Sequence, residues 1–404
     1  MMVTGDYFVY MERLFVFNHL EYVLAGISTL LCLIQLAYFF ISFARPLRKS
    51  KTLVSQQTAA STPMPVSVIV YTKNESENLQ KHLPALLEQD YPEFEVIVIN
   101  DGSTDESDDV LKRFEYNYKN LYHTYIPEDT KYLSRKKLSL TVGIKAAKYD
   151  TLLFTEANCM PSSNQWIANM VAAYQEDTKI VLGFSAYPHN KGFFHKQVAY
   201  DNLVRGVENL SSALKHHPFA GNGHNLSYKK ELFFAHKGYS KFLNLQAGDD
   251  DLFINEVATR QNTAVAIAHD SQTIMAPIDY FGIWKEMKAA RAATRKEYKG
   301  SQIHYYRSES VFFFLYLAAT IATIGVGICH SNWLITVWAV LLYLLRYLSK
   351  GFIFKKLALL FGQHSPLLWM PILEITTPLF SFYIYIYRLF RGKKDYTFRL
   401  GNER

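Results

Sequence analysis

VSVIVYT at residues 66–72 and EVIVIN at 95–100 are β-branched apolar runs, and the second leads straight into Asn100-Asp101-Gly102-Ser103-Thr104-Asp105. Runs of this kind suit strands buried on both faces. Between them, ESENLQKHLPALLEQ places Leu79, Leu83, Leu86 and Leu87 at helical spacing. The three segments predict a βαβ unit of a parallel sheet. Open sheets of this type bind ligands beyond the carboxyl ends of their strands, which is where Glu75 and Asp101 fall. No G-x-G-x-x-G follows the first strand, so the crevice is not a dinucleotide site of the glycine-rich kind.

At these residues the chain resembles the family 2 glycosyltransferases, membrane-associated enzymes whose GT-A domain transfers a sugar from a nucleotide-diphosphate donor. The resemblance covers about residues 65–300 and implies an α/β fold with a GT-A-like (Rossmann-like), mostly parallel sheet. It implies that Glu75 and Asp101 accept hydrogen bonds from a uracil-like base and its ribose, with Gly102 letting the backbone come close. Taken alone, DGSTD also reads as a strand-to-helix turn capped by Asp105.

SRKKLSLTVGIKAAKYDTLLFTEAN predicts a helix over 136–148 and a third buried strand, TLLFT. The resemblance places Lys136 near the diphosphate, where an ammonium offsets negative charge. Where the family carries a metal-binding Asp-x-Asp, this chain has Glu156-Ala157-Asn158. A carboxylate and an amide oxygen remain acceptable ligands for a hard cation, so Mg or Mn is the implied cofactor with Glu156 and Asn158 as its ligand pair. The alternatives are Asn158 capping a helix that opens at Pro161, and Arg135, Lys136 and Lys137 forming a solvated helix start.

FAGNGHNLSYKK at 219–230 and AGDDDLF at 247–253 form the next landmark. In the family, the first region lines the donor-sugar and acceptor site, here through Gly223 and Asn225 with Asp251, and the acidic cluster supplies the general base. Matching Asp251-Leu252 to the end of the family pattern puts that base at Asp249, while a register shifted by one selects Asp250. His216, His217, His224 and His236 have no metal-ligand spacing and read as surface or acceptor-lining. In IWKEMKAARAATRKEYKG, Arg291 and Arg295 stand where processive members carry Gln-x-x-Arg-Trp, and they are expected to clamp the pyrophosphate. The missing Gln and Trp argue against a processive polymer synthase. A basic helix lying on anionic headgroups is the alternative.

The chain has 404 residues, 49% apolar and 15% aromatic, with a formal charge of +7. Residues 22–44 carry no charge, are long enough to cross a bilayer, and are followed at once by Arg45, Arg48, Lys49 and Lys51. The leader carries Asp6, Glu12 and Glu21 with only Arg13 as a base, which predicts an uncleaved anchor, and the basic flank puts the anchor's carboxyl end in the cytoplasm. The expected organisation is a tail (1–21), the anchor (22–44), a polar linker (45–64), the GT-A domain (65–300), a membrane module (301–390) and a basic tail (391–404). Two spans are expected at about 311–329 and 333–347, then a segment at 367–390 that dips into the membrane with Glu374 facing protein. Cys32, Cys159 and Cys329 make neither a disulfide framework nor a metal-binding pair.

Together these features predict an integral protein of the cell's inner membrane with a cytoplasmic catalytic domain. Its expected reaction is an inverting transfer from a nucleotide sugar, a UDP-sugar favoured, to a lipid-linked or envelope saccharide. The rivals are a processive polysaccharide synthase and a non-catalytic GT-A scaffold, the latter suggested by Glu156-Ala157-Asn158. The basic charge lies beside the membrane segments with no nucleic-acid motif, so anionic lipid is the expected partner and nucleic acid is not.

Overall fold

The computed structural model describes residues 17–59, 63–127 and 134–391. Helices α1 (His19–Ala37) and α2 (Arg45–Ala59) are joined by a π-helical turn, Tyr38–Phe43, so the stretch expected as a linker is helical to Ala59. The soluble domain then runs β1 (Val66–Thr72), α3 (Ser76–Leu87), β2 (Phe94–Asn100), α4 (Ser107–Asn117), β3 (Leu121–Tyr125), α5 (Arg135–Ala146), β4 (Thr151–Glu156), β5 (Cys159–Pro161) and α6 (Trp166–Val171). It continues through β6 (Ile180–Leu182), β7 (Ser185–Ala186), α7 (Phe193–Leu214), β8 (Leu226–Lys229), α8 (Lys230–Ala235), α9 (Asp251–Val257), β9 (Thr263–Val265), β10 (Thr273–Met275) and α10 (Phe281–Thr294). The last long helices are α11 (Gln302–Cys329), α12 (Trp333–Leu360) and α13 (Met370–Arg391).

Seven strands form one sheet in the order β3-β2-β1-β4-β8-β6-β9. β1 pairs in parallel with β2 and β4, whereas β8 runs antiparallel to β4 and β6. Successive strand side chains point to opposite faces. Accordingly Val68, Val70, Val96 and Val98 pack on Leu79, Leu83 and Trp166, while Ile69, Ile97 and Ile99 pack on Leu140 and Ile144. Gly143 lets α5 approach closely, since a Cβ there would lie 2.5 Å from the Ile99 side chain. Helices therefore cover both faces of the sheet, and β1 sits at the switch point that opens a crevice.

Among the described residues, four helices are long and apolar enough to cross a membrane. α1, α11 and α12 are tied by Ser28 to Thr323 at 2.8 Å and by Asn332 donating to Glu21 at 3.1 Å. Leu30, Leu33, Val337, Leu341 and Leu344 face outward. The segment expected to bend is one unbroken helix, α13. Pro371 falls in its first turn, where a proline is tolerated, and Pro378 lies inside it. Both ends meet the soluble domain: the Trp369 ring lies 5.7 Å from Phe193 with Lys196 above it, and Arg391 pairs with Glu286. Glu374 does face protein, 2.9 Å from Arg346 and 2.7 Å from Lys350. The two chain tails lie outside the described residues before 17 and after 391.

Candidate active site

The strand register brings the first residues of the site together. Thr72 is opposite Asn100 and Tyr71 is opposite Glu156, so the turns after β1, β2 and β4 share one edge. The first two turns are laced to each other. Asn74 accepts from the Thr104 amide at 2.8 Å, and Asp105 accepts from the amides of Ser76 and Ser107, each at 3.0 Å. Asp105 thus does the capping expected of a strand-to-helix turn, and Gly102 takes the positive φ of 62° that this turn demands.

Asp101 is buried, accepts from the Tyr71 hydroxyl at 2.9 Å and pairs with Arg135 at 2.8 Å. Glu75 stands outside it, half-buried and bonded to Asn78. Burial, and then the charge of Glu156, raise its carboxyl above the usual range despite the Asn78 bond.

The centre of the site is an ammonium between carboxylates. Lys136 Nζ lies 2.7 Å from Glu156 Oε1 and 3.0 Å from Asp249 Oδ2. Tyr71, Gly223 and Asp250 line the same cavity. Burial opposes the charged lysine, yet Asp249, Glu156 and Asp250 overcome it and raise its affinity for the proton. Burial likewise opposes the Glu156 carboxylate, but Lys136 and then His224 bring its pKa down to about 2. His224, buried with Nε2 3.5 Å from Glu156, is a site neighbour rather than a surface residue, whereas His216 and His217 are exposed.

The three aspartates have separate tasks. Asp250 caps α9: its Oδ2 accepts from the Gly223 amide at 2.8 Å and its Oδ1 from the Asp251 amide at 2.6 Å. Burial would raise its pKa, and Lys136 with these amides lowers it instead. Asp251 turns away from the cavity, accepting from Thr294 at 2.5 Å and Tyr298 at 2.7 Å. Burial and the adjacent Asp250 push it up to about 6. Its expected place in the sugar pocket is therefore corrected, because its outer oxygen is spent on tying α9 to α10. Only Asp249 has Lys136 as its one charged partner at bonding distance.

Asn225 is corrected in the same way. It is buried, donates to the carbonyls of Phe184 and Ser271 at 2.9 and 2.8 Å, and accepts from the Trp166 indole at 3.2 Å, so nothing is left for a sugar. Asn158 lies in the turn between β4 and β5, and its amide oxygen accepts only the Cys159 thiol, at 3.2 Å. Pro161 belongs to strand β5, so no helix opens there. The solvated helix start is also overturned. Lys137 is buried and donates to the carbonyls of Phe242, Leu245 and Ala247 at 2.8, 2.6 and 2.7 Å. Successive helical residues point about 100° apart, which sends Lys136 into the crevice and Lys137 onto the segment leading to Asp249. The doubled lysine was the signal for this second role.

The charge of Arg291 reaches Glu156, His224 and Asp250 and also Arg205, while that of Arg295 reaches Asp201, Arg205 and Glu208.

A family model described as glycosyl transferase family 2 matches residues 67–235. Similar proteins include the poly-β-1,6-N-acetyl-D-glucosamine synthase of Staphylococcus epidermidis, 30% identical over 143 residues that cover 35% of this chain and 32% of that protein. Another is glycosyltransferase AglE of Haloferax volcanii, 34% identical over 112 residues covering 26% of this chain and 34% of AglE. The matched region spans about a third of the length of these relatives. A solved mannosyltransferase, PcManGT from Pyrobaculum calidifontis in complex with GDP-Man and Mn2+, aligns over 86% of this chain and 99% of its own. The TM-score is 0.53 at 18% identity, a likeness of fold. Glu75, Asp101, Lys136 and Glu156 lie inside the matched residues and around one crevice of the sheet, and it is this segment, 67–235, that is similar to glycosyl transferase family 2.

Proposed function

We propose that the protein is a membrane-bound, inverting glycosyltransferase that moves a sugar from a nucleotide-diphosphate donor to a lipid-linked or envelope saccharide. The observation that carries this reading is the Lys136 ammonium held between Glu156 and Asp249 at the strand ends. In such a transfer the acceptor oxygen bonds to the anomeric carbon, its proton passes to a carboxylate, and the anomeric C–O bond breaks with its electron pair leaving on the diphosphate. Asp249 suits the base because Asp250 has both oxygens committed to backbone amides. A donor diphosphate gives Lys136 a second anion to pair with and frees Asp249 to accept the proton. Glu75 is the carboxylate open to the base and ribose, while Asp101 supports the pocket by holding Tyr71 and Arg135.

The Glu156 carboxylate and the Asn158 amide oxygen are donors of the kind a hard divalent cation would take. Among the described residues no three Asp, Glu, His or Cys groups converge to hold an ion by themselves. The Lys136 ammonium beside Glu156 supports this position as one where positive charge is favoured. Glu156 and Asn158 would hold Mg or Mn there, and such an ion would neutralise charge on the departing diphosphate. Glu156→Gln is expected to raise the Mn or Mg concentration needed for half-maximal activity. Full activity of the wild-type protein in excess chelator would refute the metal assignment.

A second reading, a processive polysaccharide synthase, is favoured by the likeness to the poly-β-1,6-N-acetyl-D-glucosamine synthase. The absence of the Gln and Trp from the α10 motif weighs against it. Placement of the catalytic domain at the cytoplasmic face of the inner membrane rests on Arg45, Arg48, Lys49 and Lys51 following the anchor. Purified protein supplied with a panel of UDP- and GDP-sugars and membrane extract tests both readings by mass spectrometry of the products. Addition of one sugar is expected. Long chains from few initiations would establish the processive reading, and neither transfer nor donor hydrolysis would leave a scaffold.

A further inference from the structure

A group of arginines beside the crevice is only partly offset by the carboxyls near it, Asp201 and Glu208. Arg205 on α7 and Arg295 just after α10 are half-buried, and Arg307 lies in the second turn of α11. None of the three guanidinium groups has a hydrogen bond or ion pair among the described residues, although each lies within electrostatic reach of the next. Nearby Asp201 is spent on Lys288, 2.5 Å away. The remaining carboxyl, Glu208, is raised to about 7 by burial in spite of Arg295, so near neutral pH it offsets only part of the charge.

Arg205 also lines a cavity with Asn202, Gly206, Asn209, Gly221 and Asn222. Its wall continues through Gly223 into the catalytic cavity, because Gly223 is bonded to Asp250. On the other side, the end of α7 meets the start of the membrane helices. Arg45 donates to the Ser211 carbonyl at 2.7 Å, and Ser212 donates to Gln302 at 3.4 Å. The arginines therefore lead from the catalytic cavity to the first turns of a membrane helix.

Partly buried charges without partners are costly, and guanidinium forks match phosphate oxygens in pairs. We propose that Arg205, Arg295 and Arg307 form a second anion site, separate from the donor diphosphate, which binds the phosphate of a lipid-linked acceptor whose hydrocarbon chain lies in the bilayer beside α11. The site deepens the transferase reading and rests on it. It places the phosphate next to the crevice and turns the acceptor group towards Asp249. Arg295 is thereby reassigned from the donor to the acceptor.

The test uses the full chain in phosphatidylcholine nanodiscs and equilibrium binding of farnesyl monophosphate, with farnesol and inorganic pyrophosphate as comparisons. Farnesyl monophosphate is expected to bind at saturating UDP, at least about tenfold more tightly than farnesol or pyrophosphate, with Arg295→Gln and Arg205→Gln each weakening it by about tenfold. Arg307→Gln, at an exposed position that leaves folding intact, is expected to weaken it by about threefold. Displacement by UDP, pyrophosphate binding as tightly as the lipid phosphate, or unchanged binding by Arg295→Gln and Arg307→Gln would overturn the proposal. Failure of UDP and GDP to bind at all would instead defeat the transferase reading, because lipid-phosphate binding is measured without turnover.

Discussion

Asp249→Asn lowers turnover by about two orders of magnitude or more and leaves donor affinity nearly unchanged, the signature of a lost general base. The substitution keeps the shape of the side chain and removes only its capacity to take a proton. The Lys136 ammonium keeps its partner Glu156 at 2.7 Å, so the cation stays in the crevice for the donor. Asp250→Asn acts differently. An amide offers one acceptor where Asp250 now uses two oxygens, against the amides of Gly223 and Asp251. One of those bonds is lost, the loop at Gly223 and the start of α9 loosen, and the melting temperature falls along with a milder loss of rate. Steady-state kinetics with both variants decide the register. Abolished turnover in Asp250→Asn beside a mild effect in Asp249→Asn would show that the neighbouring carboxylate is the base.

Arg346→Met destabilises the membrane module by about 3–5 kcal/mol, the cost of leaving a buried carboxylate unpaired. The Arg346 fork holds Glu374 at 2.9 and 3.1 Å and Gln35 at 2.9 and 3.2 Å, and its face lies 4.4 Å from the centre of the Phe313 ring. Lys350 joins Glu374 at 2.7 Å to Glu309 at 3.2 Å. The cluster thus links α1, α11, α12 and α13, and its two cations and two carboxylates balance. In an apolar surrounding such groups persist only when paired. Denaturant unfolding in detergent micelles measures the loss, and the double variant Arg346→Met with Glu374→Gln is expected to recover part of it through the coupling of the two sites. A change below about 0.5 kcal/mol in Arg346→Met would mean that the cluster does not hold the helices together.

The sequence alone determined the βαβ core, the turns that carry Glu75, Asp101 and Glu156, the anchor and the protein-facing Glu374. These depend on periodicity and on the cost of polar groups in apolar surroundings, both local properties of the chain. It left open which of three consecutive aspartates faces the crevice. That choice depends on how α9 enters, which Thr294, Tyr298 and the Gly223 amide settle from 27 to 47 residues away in the chain. Asn225 matched the motif yet went to the core, because the carbonyls of Phe184 and Ser271 and the indole of Trp166 converge on it only after folding. Arg291 and Arg295 lie about one helical turn apart in sequence, and only the fold brings both within electrostatic reach of Arg205 on α7. Both ends of α13 return to the soluble domain because Trp369 finds Phe193 and Arg391 finds Glu286, contacts between segments some 105 to 176 residues apart that no local pattern encodes.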